Sequence, residues 1–177
     1  MASLTDRMIR AARLDVSLYE EVEADGDATG QALSVVVLSS VAMGLGSFAE
    51  VGVRGLIGGA LVALAGWFAW ALLTYWIGTR LLPEPQTQAD LGQMLRTTGF
   101  SAAPGVLRVL AIVPGLWSLV VFGTSVWMLA AMVVAVRQAL DYKGTLRALS
   151  VCALGWLLQL VVFALLYELS RDLPTTT

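Results

Sequence analysis

Residues 96–140 read RTTGFSAAPGVLRVLAIVPGLWSLVVFGTSVWMLAAMVVAVRQAL. Between Arg96 and Arg137 the only charge is Arg108, and two prolines, Pro104 and Pro114, interrupt the run. About 20 apolar residues cross a bilayer, so this stretch is too long for one crossing and long enough for two. Two crossings need a turn, and Pro114-Gly115 supplies it. Proline cannot continue a helix, and glycine takes turn conformations that other residues avoid. Inside hydrocarbon the backbone has to satisfy its own hydrogen bonds, so each crossing is expected to be helical.

The rest of the chain repeats this pattern. Over 177 residues only 14% are charged, against roughly 25% in a soluble domain. The expected spans are Gln31–Ala49, Gly55–Thr79, Thr98–Val113, Leu116–Val136 and Leu146–Tyr167. The third is short, about 24 Å as an α-helix, and the amphipathic turns before it can supply the missing length. Thr87-Gln-Ala-Asp90 is a capping-box-like start for those turns. Gly55, Gly59 and Ala63 form a small-residue stripe on which another helix can pack closely, within the chain or in a second copy. Trp67 and Trp70, near mid-span, read as packing residues rather than a ligand box.

Charge sets the orientation. With five spans and a cytoplasmic N-terminus, the inner side carries Arg7, Arg10, Arg13, Arg80, Arg96, Arg137, Lys143 and Arg147. The outer side carries Arg54, Arg108 and Arg171. Eight against three obeys the positive-inside rule. A single crossing of residues 98–136 would put the 137–147 loop outside, against that rule. A re-entrant hairpin keeps the loop inside but needs shielding from lipid. The fold class is therefore an all-α, five-span membrane protein, N-terminus in and C-terminus out. A lead-in (1–28) precedes the membrane domain (29–168), and a frayed tail (169–177) follows it.

Two polar residues lie within the membrane. Arg108 is in the outer half of the third span, and Gln159 is near the middle of the fifth. A buried charge is costly unless paired or snorkelling. Glu168 and Glu50 lie on the same side as Arg108 and are its expected partners. The alternative is snorkelling to lipid phosphates.

The lead-in holds a short helix capped by Thr5 or Asp6, with Met8, Ile9, Ala12 and Leu14 on one face and Arg7, Arg10 and Arg13 around it. It can lie on an anionic membrane surface or stand in solvent. The acids Glu20, Glu21, Glu23, Asp25 and Asp27 follow. Asp25-Gly26-Asp27 lacks the ligand spacing of a calcium loop. Residues 1–30 contain no apolar core of a cleavable signal. There is no histidine and one cysteine, which removes intrachain disulfides and Cys/His metal sites. Gly44-Leu-Gly46-Ser47 faintly resembles a serine-protease motif, but Ser47 has no evident base, and no phosphate loop is present. No enzyme, no cofactor and no nucleic-acid partner is expected. Ten arginines to one lysine, with no asparagine, points to a GC-rich bacterial genome, and a bacterial inner membrane is the expected location.

The motifs Leu95–Pro104 (LRTTGFSAAP), Ile112–Gly115 (IVPG), Val136–Tyr142 (VRQALDY) and Thr145–Leu149 (TLRAL) follow two spans and an acidic lead-in. In that order they resemble the Yip family, named for Ypt/Rab-interacting proteins, and especially its short bacterial members. The resemblance covers about residues 29–168. It implies a five-span all-α fold with a cytoplasmic N-terminus. Eukaryotic members bind Rab-type GTPases, but this chain lacks their Asp-Leu-Tyr-Gly-Pro motif and their long N-terminal segment. Rab binding is not carried over.

Two functions remain. The first is a membrane adaptor or scaffold that contacts other membrane proteins, or forms a homo-oligomer. Its inner face would do so through Arg137, Asp141, Tyr142, Lys143 and Arg147. The second is a small transporter, channel or lipid-handling protein with a polar site around Arg108 and Gln159. A water-filled cavity reaching both residues favours the second, and a dry, fully packed bundle favours the first.

Overall fold

A computed structural model describes residues 2–171, and the side chains within them except at 48–51, 162–163 and 165–171. The described chain is all-helical, 82% helix with no strand among the described residues. The elements are α1 (Leu4–Ala12), α2 (Val16–Ala24), α3 (Ala28–Gly46), α4 (Phe48–Trp76), α5 (Leu91–Phe100), α6 (Trp117–Ala139) and α7 (Thr145–Arg171). A π-helical turn, Ile77–Leu81, ends α4, and a 3-10 helix, Ala103–Ile112, follows α5.

Three described helices are long and apolar enough to cross a membrane: Ala28–Gly46, Gly52–Leu81 and Trp117–Ala139. The described apolar part of α7, Thr145–Val161, is shorter. Outward-facing residues such as Val53, Leu61, Val62, Leu119 and Phe122 are strongly exposed, as a lipid-facing surface requires. The connection expected at 50–54 is a break within α4, where Gly52 has φ of +60°. Glycine takes that left-handed conformation without a side-chain clash.

The third expected span is not a continuous α-helix. Asp90, not Thr87, caps α5: its side chain accepts from the Gln93 amide at 2.8 Å, and the Gln93 side chain accepts from the Asp90 amide at 2.7 Å. The α-helix ends at Phe100 and the 3-10 helix begins with Pro104 in its first turn. Ten residues rising about 2 Å each make the 3-10 piece about 20 Å long, and α5 adds about 15 Å. The chain then reverses at Pro114-Gly115. Gly115 has φ of +85°, and the Leu116 amide donates to the Val113 carbonyl at 3.1 Å. Proline at the second position and left-handed glycine at the third make a type II turn.

Residues 2–25 are built into the bundle. Ser3 caps α1 by accepting from the Asp6 amide, which corrects the expected Thr5 or Asp6 cap. Leu14 is outside the helix, with φ of +60°. Helices α1 and α2 form a hairpin whose Ala11, Leu18, Tyr19 and Val22 share a core with Ala32, Val35, Phe100, Ala103 and Ala135. Arg7 is 3% exposed. It lies 2.8 Å from Glu21 and 2.7 Å from Asp25, and donates to Gln31 at 3.1 Å. Asp25, the residue of the calcium-like sequence, is thus an arginine partner. Trp127 donates to the Ala12 carbonyl at 2.7 Å, and Arg96 donates to the Val22 carbonyl at 2.8 Å and to the Glu23 carbonyl. The hairpin packs on α6 beyond Trp127 at Val134 and Ala135, while Val136 and Ala139 face the other way, into a core with Ile77, Leu140 and Val151.

Candidate functional site

Small residues decide where the helices close on one another. A β-carbon on Gly99 would sit 2.8 Å from that of Ala32, so α5 and α3 meet backbone to backbone. One on Gly46 would meet Ala111 and the Arg108 carbonyl at 3.1 Å, and one on Gly44 would meet Leu56. The Gly44-Leu-Gly46-Ser47 sequence is therefore a packing surface, and Ser47 donates to the Met43 carbonyl of its own helix. The α4 stripe is different. Gly59 and Gly66 have open space where a β-carbon would stand. Together with Gly55 and Ala63 they line a cavity, so on this face the small residues widen a space rather than seat a helix.

The cavity has a volume of about 810 Å³ and lies among α3, α4, α5, α6, α7 and the 3-10 helix. Arg108 and Gln159 both line it, with Met128, Met132 and Trp156 among its apolar walls. Trp67 and Trp70 also line it while tying α4 across: Trp67 donates to the Leu95 carbonyl at 3.2 Å and Trp70 to the Met132 sulfur at 3.3 Å. Several of its hydroxyls are turned back on the backbone. Ser40 donates to Val37, Ser101 to Thr98 and Thr98 to Met94. The walls are thus largely apolar, with polar groups concentrated at Arg108 and Gln159.

The Arg108 guanidinium donates to Thr124 Oγ1 at 3.2 Å through Nε and to Ser125 Oγ at 2.9 Å through Nη2. These hydroxyls are about 11 Å along α6 from its start at Trp117, at 1.5 Å per residue. The expected pairing with Glu50 or Glu168 involves side chains outside the described residues. Among the described residues no carboxylate lies within ion-pair distance of Arg108. The Thr124 and Ser125 contacts are not readable from the sequence, where two hydroxyls in an apolar span resemble ordinary helix residues.

A second, polar cavity of about 350 Å³ is lined by Glu20, Glu23, Arg137, Gln138, Asp141, Tyr142 and Lys143. It brings together four of the five inner-face candidates. Arg137 is largely occupied by its own loop, donating to the carbonyls of Tyr142 and Lys143. Arg147, the fifth, donates to the Pro83 carbonyl and lies 3.6 Å from Glu84. Both arginines thus help to hold the 137–147 segment in place. Asp141 has φ of +53° and Tyr142 is buried. Burial, first, and then the neighbouring charge of Asp141 push the Glu23 carboxyl up to about 7.

A protein-family model described as the Yip1 domain matches residues 17–166. No curated protein and no solved structure matches the chain.

Proposed function

The chain belongs to the Yip1-domain family, and from that membership we propose that it is a non-enzymatic membrane protein that handles lipid within the bilayer. The observation that carries this reading is the cavity of about 810 Å³ reaching both Arg108 and Gln159. Pockets of roughly 300–1,000 Å³, mostly apolar with a few placed polar groups, are the ordinary form of a small-molecule site. Here the adjoining solvent is lipid, and Phe122, Val126 and Trp156 at the cavity are well exposed.

The topology that goes with it has five crossings, N-terminus in, in a bacterial inner membrane. Helix α5 and the 3-10 helix together form the third crossing, because their added length of about 35 Å exceeds the roughly 30 Å hydrocarbon core. The lead-in (1–28) enters the membrane domain (29–168) from the cytoplasmic side and packs along the inner half of α6.

The polar cavity between α2 and the 137–147 loop supports a second reading, an adaptor that binds a partner protein on the inner face. Native mass spectrometry of the chain, extracted from its own membrane in mild detergent, separates the two. Retained lipid without a protein partner supports lipid handling. A stoichiometric protein partner with no retained lipid supports the adaptor and overturns the first reading.

A further inference from the structure

Resting on the lipid-handling reading, we infer that the cavity takes an anionic phospholipid. Its phosphate is bound by Arg108 with Thr124 and Ser125, and one acyl chain runs along the face of Gly59 and Gly66. A guanidinium carries five N–H donors and no acceptor. Two of those donors are used by Thr124 and Ser125, which leaves three on a side chain that lines the cavity. Arginine matches a phosphate in a two-pronged geometry that neutral donors do not offer.

The hydroxyl of Thr124 is itself committed. It accepts from Arg108 and donates to the carbonyls of Val120 or Val121 on its own helix. Among the described residues the result is a fixed cation whose nearest partners are neutral. Charge of that kind within a membrane is expensive and marks a ligand position.

The remainder of the space selects the tail. Gly59 and Gly66 have no atom within 4 Å of where a side chain would begin. Met128, Met132 and Leu129 supply flexible apolar walls, which adapt to chains of differing shape. A zwitterionic headgroup would bring its own ammonium toward Arg108, so a lipid with net negative charge is preferred. Because Thr124 lies about 11 Å along α6 from Trp117, the bound headgroup sits below the plane of its neighbours.

The test uses the full chain in nanodiscs of equal phosphatidylglycerol and phosphatidylcholine, with co-purifying lipid counted by native mass spectrometry. The wild type is expected to retain phosphatidylglycerol at least tenfold over phosphatidylcholine. Arg108→Gln should retain lipid with that preference lost, and Arg108→Lys should keep most of it. Gly59→Leu and Gly66→Leu fill the cavity where the structure has open space, so they should fold normally and retain no lipid of either class. Melting temperature and size-exclusion behaviour report whether each variant folds. Retained lipid with no charge preference in the wild type overturns this inference and leaves lipid handling standing. It is also the result expected if Glu50 or Glu168 already neutralises Arg108. Absence of retained lipid in the wild type overturns both. If 10 mM inorganic phosphate displaces the anionic lipid while the tail variants still retain it, the site is one for free phosphate and the lipid assignment fails.

Discussion

The hydroxyl of Tyr142 lies 2.7 Å from the carbonyl oxygen of Leu82 and 3.1 Å from that of Gly78. These acceptors belong to the end of the π-helical turn, where the wider winding disturbs the usual hydrogen-bond ladder. The side chain reaches across from the loop between α6 and α7 and locks it to the connection between α4 and α5. Burial, first among its causes, pushes the phenol up to about 12, so it remains a donor through the physiological range. Tyr142→Phe keeps the ring and removes the donor. It should cost about 1–2 kcal/mol, read as a melting temperature lower by a few degrees in detergent.

Arg7 holds the N-terminal hairpin through Glu21, Asp25 and Gln31. The two acids remain partly exposed, at 33% and 28%, so removing the cation does not strand fully buried charges. Arg7→Ala should therefore weaken docking by about 2 kcal/mol, less than the loss of a fully buried pair. Hydrogen exchange of residues 4–24 should accelerate while α4 and α7 are unchanged.

Docking of the hairpin should be strongest in mildly acidic solution. Released, Glu23 titrates near 4.5, and docked it titrates at about 7. Between those values the docked form keeps a proton that the released form has lost, so docking weakens as pH rises through that window. Glu21 is held low by its hydrogen bond to Arg10, and Asp25 by its hydrogen bond to Arg7. Their contribution is complete above the ordinary carboxylate range and is lost as pH falls through their docked values. Melting temperature against pH should show both limbs, and Glu23→Gln should flatten the rise-side limb between pH 5 and 7.

Two glycines separate packing from vacancy. Gly99→Ala would press a methyl against the Ala32 backbone carbonyl, 3.2 Å away, and should cost about 1–3 kcal/mol. Gly59→Ala enters open space and should be neutral or slightly stabilising, since alanine is the better helix former. Thermal melting of the pair separates the packed position from the open one.

Crossing of residues 91–136 twice puts the Pro114-Gly115 turn outside. With Cys152 replaced, Leu116→Cys should react with a membrane-impermeant maleimide from the outer side, and Lys143→Cys only once the inner face is opened. A Leu116→Cys that is protected from outside would make the segment re-entrant.

Much of the helix order could be read from apolar length alone, because residues 31–49, 55–79 and 116–136 have few other homes. The Pro114-Gly115 turn was equally legible, since its two residues specify the geometry. The 3-10 helix was not. Where nearly every residue from Ala102 to Val113 is apolar or small, a repeat of three and one of 3.6 leave the same pattern. The role of Arg7 was hidden for another reason. Its partners are 14 and 18 residues away, and a run of mixed charges looks the same whether it is solvated or paired. Arg108 and Gln159 stood out as costly groups in lipid, but an apolar span carries no mark of whether a void or a neighbouring helix faces it.

The position of the hairpin also orders assembly in time. Val22 precedes Arg96, whose guanidinium holds its carbonyl, by 74 residues, and Ala12 precedes Trp127 by 115. Helices α1 and α2 can therefore meet α3 and α5 early, but their seat is complete only when α6 is in place. A chain stalled before α6 would leave the Ala12 carbonyl without Trp127, so protease sensitivity of α1 and α2 would report whether α6 has arrived.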